Sequence, residues 1–168
     1  MVITSLHHHF QTGFMTNRNS SDEALLDSIA KLSPSEHSQT RLLIYDARPY
    51  LNALVNRVTS GGYENSRDYK DCEIVFCDID NIHAVSGAYA RLHELGASNA
   101  SQQKWFSQLE NTNWLQLLSR ILLAVNNMLE TITVKEVNVL VHCTDGWDRT
   151  AQLSALAQLM LDPYFRTI

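Results

Sequence analysis

Positive charge is scarce in this sequence: 13 Lys and Arg stand against 18 Asp and Glu, a formal net charge of -5 at pH 7. No basic stripe marks a nucleic-acid partner, and nothing draws the chain generally to an anionic bilayer. An anionic ligand would therefore need positive potential supplied locally. Cysteine is also scarce. Cys72, Cys77 and Cys143 are odd in number and match no disulfide framework, so a reducing, cytosolic setting is expected. No uncharged apolar run reaches the length of about 18 residues that a membrane-crossing helix needs. The opening MVITSLHHHF has neither a basic segment nor a long apolar one, so no secretory signal is expected there. His7, His8 and His9 read as part of a solvated, flexible segment over residues 1–20 rather than as a metal site. No internal repeat is visible.

What remains is ordinary for a globular protein: 168 residues, 45% hydrophobic and 18% charged, enough for one domain with a real core. Residues 11–24 and 33–40 are polar and loop-like. Between them a helix is predicted to about Leu32, capped by Ser21 or Asp22, with Leu25, Leu26 and Ile29 on one face. Arg41–Ala47, Glu73–Ile79 and Val137–His142 are short apolar runs that read as strands covered on both faces. Helical spacing appears in Ile82, Val85, Tyr89 and Leu92. It appears again, over a longer stretch, from Trp114 to Ile132. In the last helix, Thr150–Leu161, Leu153, Leu156, Ala157 and Met160 form a stripe that Ala151, Ala155 and Leu159 thicken, so this helix is expected to be central and buried. Trp105 and Trp114 read as core, and Cys72 and Cys77 as small packed hydrophobes. Strands alternating with helices predict an α/β fold with a largely parallel sheet flanked by helices.

One junction carries chemistry. The predicted strand ending at His142 runs into Cys-Thr-Asp-Gly-Trp-Asp-Arg (143–149) and then a helix. Backbone N–H groups of such a loop, with the positive helix end, make an anion cradle. Gly146 permits the tight turn. Helix N-termini and nearby cations favour the reactive thiolate of a cysteine placed like Cys143. The Arg149 fork, six residues on, can hold two phosphoryl oxygens. Asp145 and Asp148 are the local candidates for proton transfer, and the Thr150 hydroxyl is placed to donate to the thiolate. The implied reaction is a two-step displacement through a phosphocysteine. It requires no metal or other cofactor, because the cradle and Arg149 hold the charge.

The string HCTDGWDRTAQL (142–153) resembles the myotubularin signature, with Thr144 for the usual serine. YDARPYLNALVNRVTSGGYE (45–64), DIDNIHAV (78–85), LENTNWL (109–115) and LMLDPYFRTI (159–168) are similar to further blocks of that family. The resemblance implies a cysteine-phosphatase (protein-tyrosine-phosphatase-like) fold, with residues 21–168 as an incomplete catalytic domain. It implies removal of the 3-phosphate from phosphatidylinositol 3-phosphate and phosphatidylinositol 3,5-bisphosphate. Cys143 would be the nucleophile, Arg149 the phosphate clamp and Asp148 the general acid. Thr144, Asp145, Gly146 and Trp147 would line the headgroup pocket, joined by Asn56, Asn81 and Ile82. The family also implies a cytoplasmic enzyme in peripheral contact with endosomal-type membranes, and homo- or hetero-oligomers with other members. Ser86 stands where the family usually carries an arginine. The family's lipid-binding module and its downstream arginines are expected to lie outside this stretch. Two other readings use the same loop: a protein phosphatase, and an inactive member that binds phosphoinositide or a homologous partner.

Overall fold

The computed structural model describes residues 2–4, 20–34, 40–59, 63, 69, 71–98 and 102–167. The predicted histidine segment and most of the polar residues up to 20 lie outside the described residues. The frame is a four-stranded parallel sheet in the order β1-β4-β2-β3, from β1 (Val2–Thr4), β2 (Leu42–Asp46), β3 (Cys72–Phe76) and β4 (Asn138–His142). Asp46 aligns with His142 on one side and with Phe76 on the other, so these three strands finish level. That shared C-terminal edge is where ligands bind in open parallel sheets.

Side-chain alternation splits the central strands between two cores. Leu42, Ile44 and Leu140 pack with Leu26, Ile29 and Ala30 of α1 (Ser20–Lys31). Asn138 ties that helix down by donating from Nδ2 to the Ile29 carbonyl at 2.8 Å. On the opposite face Tyr45, Val139 and Val141 pack with Ala124, Val125 and Met128 of α5 (Trp114–Thr133) and with Leu153 and Ala157 of α6 (Arg149–Leu161). Met128 and Leu153 are fully buried, each worth about 1.5–3 kcal/mol of transfer free energy. On the same face, the Tyr45 hydroxyl meets Thr131 Oγ1 of α5 at 3.0 Å.

Three further helices fill the connections: α2 (Tyr50–Thr59), α3 (Ile82–Ala97) and α4 (Gln102–Asn111). Neither α2 nor α4 was expected, although Leu51, Leu54, Val55 and Val58 stand at helical spacing in α2. Pro49 sets the entry to α2, since its fixed φ suits a helix start, and its carbonyl accepts from Asn52 and Ala53. In α3 the fully buried positions are Ala88 and Leu95, with Val85 and Leu92 half-buried; the face is rotated away from Ile82 and Tyr89, which are exposed. Among the described residues no helix is long and apolar enough to cross a membrane.

The observed α/β architecture, a small parallel sheet flanked by helices, matches the fold class expected of an incomplete phosphatase domain. Three details depart from expectation. The last helix is not central: Leu153, Ser154 and Ala157 are buried, but Leu159 and Met160 are 40% and 41% exposed. The thickened stripe faces an open apolar cleft of 630 Å³ shared with Trp114, Leu118 and Phe165. Trp105 is exposed rather than core, stacked edge-on against Phe106 at 5.5 Å on the outer helix α4. Of the three strands expected to be covered on both faces, β2 and β4 are, whereas β3 is an edge strand and half-buried.

Candidate active site

The site grows from a buried central strand. β4 is held between β1 and β2, so His142 and Cys143 emerge from a rigid edge. The backbone turns sharply at Gly146, with φ at 80°, where a side chain would be strained. This turn folds the loop back on its first residue: Gly146 N–H donates to Cys143 Sγ at 3.2 Å. The bond holds the sulfur at the mouth of the turn. The thiol is 7% exposed.

Asp148 ends the loop and caps α6. Its Oδ1 accepts from Arg149 N–H at 2.5 Å and stands 3.4 Å from Cys143 Sγ. A carboxyl group is thereby fixed on the sulfur's side of the loop by the start of the helix itself. Arg149 folds over the loop and donates from Nη2 to Thr144 Oγ1 at 3.2 Å. Its Nε lies 3.6 Å from Asp148 Oδ1, beyond hydrogen-bond reach, and has no protein acceptor although the residue is only 7% exposed. Thr150 Oγ1, buried beneath the same turn, also lacks a partner. Buried donors without acceptors are rare in folded proteins and mark strain or a ligand site. Arg149 closes the loop expected to bind an anion, and Thr150 follows it in the first turn of α6. Trp147 is 57% exposed on the rim, Thr144 is exposed, and Asp145 is half-buried.

The structure thus gathers Cys143, Thr144, Asp145, Gly146, Trp147, Asp148 and Arg149 in one turn of chain. Asn81 and Ile82 lie elsewhere on the same sheet edge, where β3 hands over to α3. Asn81 Oδ1 accepts from His83 N–H and Ala84 N–H, both at 3.1 Å. It is therefore a helix cap, with its amide nitrogen left for other contacts. Ile82 is 39% exposed beside it. Asn56 falls on α2, and its side chain lies outside the described residues.

Two supports were not visible as such in the sequence. Asp46 and Arg48 form a buried ion pair at 2.6 Å at the C-terminal end of β2. Arg120 of α5 reaches Asp80 at 3.2 Å and the Asp78 carbonyl at 3.1 Å, clasping the turn into α3. An Asp closing an apolar strand run, with Arg two residues later, was the available signal for the first. Cys77 lies near Asp46 and is unlike Cys143: burial, with the Asp46 carboxylate adding, pushes its thiol up to about 12. It is a packed thiol, not a nucleophile. Among the described residues no three His, Cys, Asp or Glu side chains gather as a metal site.

Comparison with known proteins places this geometry. Residues 7–168 match the family model of the myotubularin-like phosphatase domain. Myotubularin of Xenopus laevis is 42% identical over 156 residues, covering 93% of this chain and 25% of that protein. The Caenorhabditis elegans phosphatidylinositol-3,5-bisphosphate 3-phosphatase MTMR3 is 39% identical over 163 residues, 94% of this chain and 16% of that protein. The human phosphatidylinositol-3,5-bisphosphate 3-phosphatase MTMR4 is 44% identical over 128 residues, 76% of this chain and 11% of that protein. The chain spans a quarter or less of these relatives' length, and the stretch that the family model matches contains the whole loop from Cys143 to Arg149. With the phosphatase-domain model covering nearly all of it, this chain belongs to the myotubularin family.

Proposed function

We propose that this domain hydrolyses the 3-phosphate of phosphatidylinositol 3-phosphate and phosphatidylinositol 3,5-bisphosphate through a phosphocysteine intermediate. The observation that carries the reading is the buried Arg149 Nε–H without a protein acceptor, in a loop that also presents Cys143 and a backed-up Asp148. Relatives whose names specify 3-phosphatase action on the 3,5-bisphosphate support the substrate class.

In the first step Cys143 Sγ attacks phosphorus and the bond to the inositol 3-oxygen breaks. Arg149 and the loop amides take up the equatorial oxygens, where charge develops. Asp148 gives its proton to the departing oxygen. In the second step water attacks the phosphocysteine, Asp148 takes the water's proton, and the P–S bond breaks to return the thiolate and release phosphate. Thr144, Asp145, Gly146 and Trp147 line the headgroup pocket, with Asn56, Asn81 and Ile82 contacting the ring. The protein works in the cytoplasm at the surface of endosomal-type membranes, in homo- or hetero-oligomers with family members.

The test is phosphate release by the full chain from short-chain phosphatidylinositol 3-phosphate and from a phosphotyrosine peptide, with Cys143→Ser as control. Release from the lipid that vanishes in the variant supports the reading. Release from the peptide alone would assign a protein phosphatase. Lipid binding without release would assign a binding member of the family.

A further inference from the structure

This inference rests on the function proposed above and concerns what holds its two halves together. Asp46, the last residue of β2, is wholly buried, and Arg48 is 4% exposed. Arg48 Nε reaches both carboxylate oxygens, at 2.9 and 3.1 Å, Nη2 reaches Oδ2 at 2.6 Å, and the Arg48 backbone N–H donates to Oδ1 at 3.0 Å. A buried pair of this kind is weak evidence for stability, because desolvating two charges offsets much of their attraction. What it does supply is one backbone geometry, since the planar fork fits the carboxylate one way.

That backbone is a junction. Ala47 N–H, between the paired residues, donates to the His142 carbonyl at 2.8 Å, one residue before Cys143. On the other side Cys77 N–H donates to the Asp46 carbonyl at 2.8 Å and Ile79 N–H to the Ala47 carbonyl at 3.0 Å. From Ile79 the chain passes directly to Asn81 and Ile82. The segment 46–48 is therefore bonded both to the root of the phosphate loop and to the root of α3.

We propose that Asp46 and Arg48 are a positioning pair that fixes the spacing between the phosphate cradle and the N-terminal end of α3, and so the affinity for a phosphorylated inositol ring over bare phosphate. Neither residue touches the reacting atoms; both act through the backbone they lock.

The test is calorimetric titration of the full chain with inositol 1,3-bisphosphate and, separately, with inorganic phosphate. Arg48→Lys keeps the charge and loses the fork. In folded Arg48→Lys, affinity for inorganic phosphate is expected to stay within about twofold, while affinity for the bisphosphate falls roughly tenfold, the size of one misplaced hydrogen bond. Equal losses for both ligands, or an unchanged preference in folded protein, would overturn the proposal. The double variant Asp46→Asn, Arg48→Gln removes both charges without stranding one, and the same selective loss is expected. If neither variant folds, the pair is structural only and the proposal fails. Wild-type protein with no preference for the bisphosphate also sinks it. Wild-type protein that prefers the bisphosphate but releases no phosphate from the lipid would refute the hydrolysis instead, and the variants would still decide the pair's role.

Discussion

Asp148 is asked to do two things with one oxygen, and two substitutions separate them. Oδ1 caps α6 through Arg149 N–H at 2.5 Å, and it stands 3.4 Å from Cys143 Sγ as the proposed acid. It also lies 3.6 Å from Arg149 Nε, so the carboxylate offsets a buried charge. Asp148→Ala removes cap, charge and acid together. Asp148→Asn removes charge and acid but keeps an oxygen for the cap. The difference in stability between the two is therefore the cap, about 1 kcal/mol. In a chain of this length that separates the two Tm values by about 2–4 °C, Asn above Ala. Catalysis should not separate them: both are expected to lose about 10²- to 10⁴-fold in kcat. Thermal melts and kcat on short-chain phosphatidylinositol 3-phosphate, on the same preparations, decide it. Asp148→Asn retaining kcat within about threefold would refute the acid assignment, since the effect is predicted at 100-fold or more. Equal Tm values would refute the cap.

Other predictions concern the core and its thiols. Leu153→Ala is expected to cost about 2–5 kcal/mol in urea unfolding because Leu153 is fully buried. Met160→Ala should cost less than about 1 kcal/mol, because Met160 is 41% exposed; equal costs would put the stripe of α6 back in the core. Thr131 Oγ1 donates to the Asn127 carbonyl at 2.9 Å, which leaves Tyr45 as donor in their 3.0 Å contact. Tyr45→Phe then strands nothing and costs about 0.5–1.5 kcal/mol, whereas Thr131→Val strands a buried phenol and costs about 1–3 kcal/mol; urea midpoints in the reverse order would contradict this donor assignment. The Cys77 thiol is raised from 9.0 to about 12 in the folded chain. Below the unfolded value its contribution is fully present; as pH rises between the two values the unfolded chain sheds a proton the folded chain keeps, and stability falls. Cys77→Ala should flatten that alkaline slope, measured as Tm against pH, and an unchanged slope would discount this thiol.

The sequence was most readable where local chemistry and tertiary structure agree. β4 and the loop to Arg149 could be drawn residue by residue, because an apolar run, a glycine and a helix start all point to one turn. The long stripe of α5 read correctly for the same reason. α2 does carry an apolar period, in Leu51, Leu54, Val55 and Val58, but Leu51, Leu54 and Val55 are exposed while Ala53 is buried, so that period does not mark a core face. α6 misled because apolar residues on an open cleft look like core residues in sequence. Asn81 fitted both of its readings, helix cap and ring contact, and the structure makes it the first without preventing the second. The Asp46–Arg48 pair was hidden for a different reason. Two charged residues beside a strand read as solvated until the fold shows both of them buried.

The central claim is that Cys143 takes the phosphoryl group onto its sulfur. The most direct measurement mixes the full chain with short-chain phosphatidylinositol 3-phosphate, quenches within a turnover, and weighs the peptide that carries Cys143. A phosphate mass on that peptide, absent in Cys143→Ser together with phosphate release, is the predicted result. Phosphate release that persists in Cys143→Ser, or proceeds with no adduct on Cys143, would contradict the account.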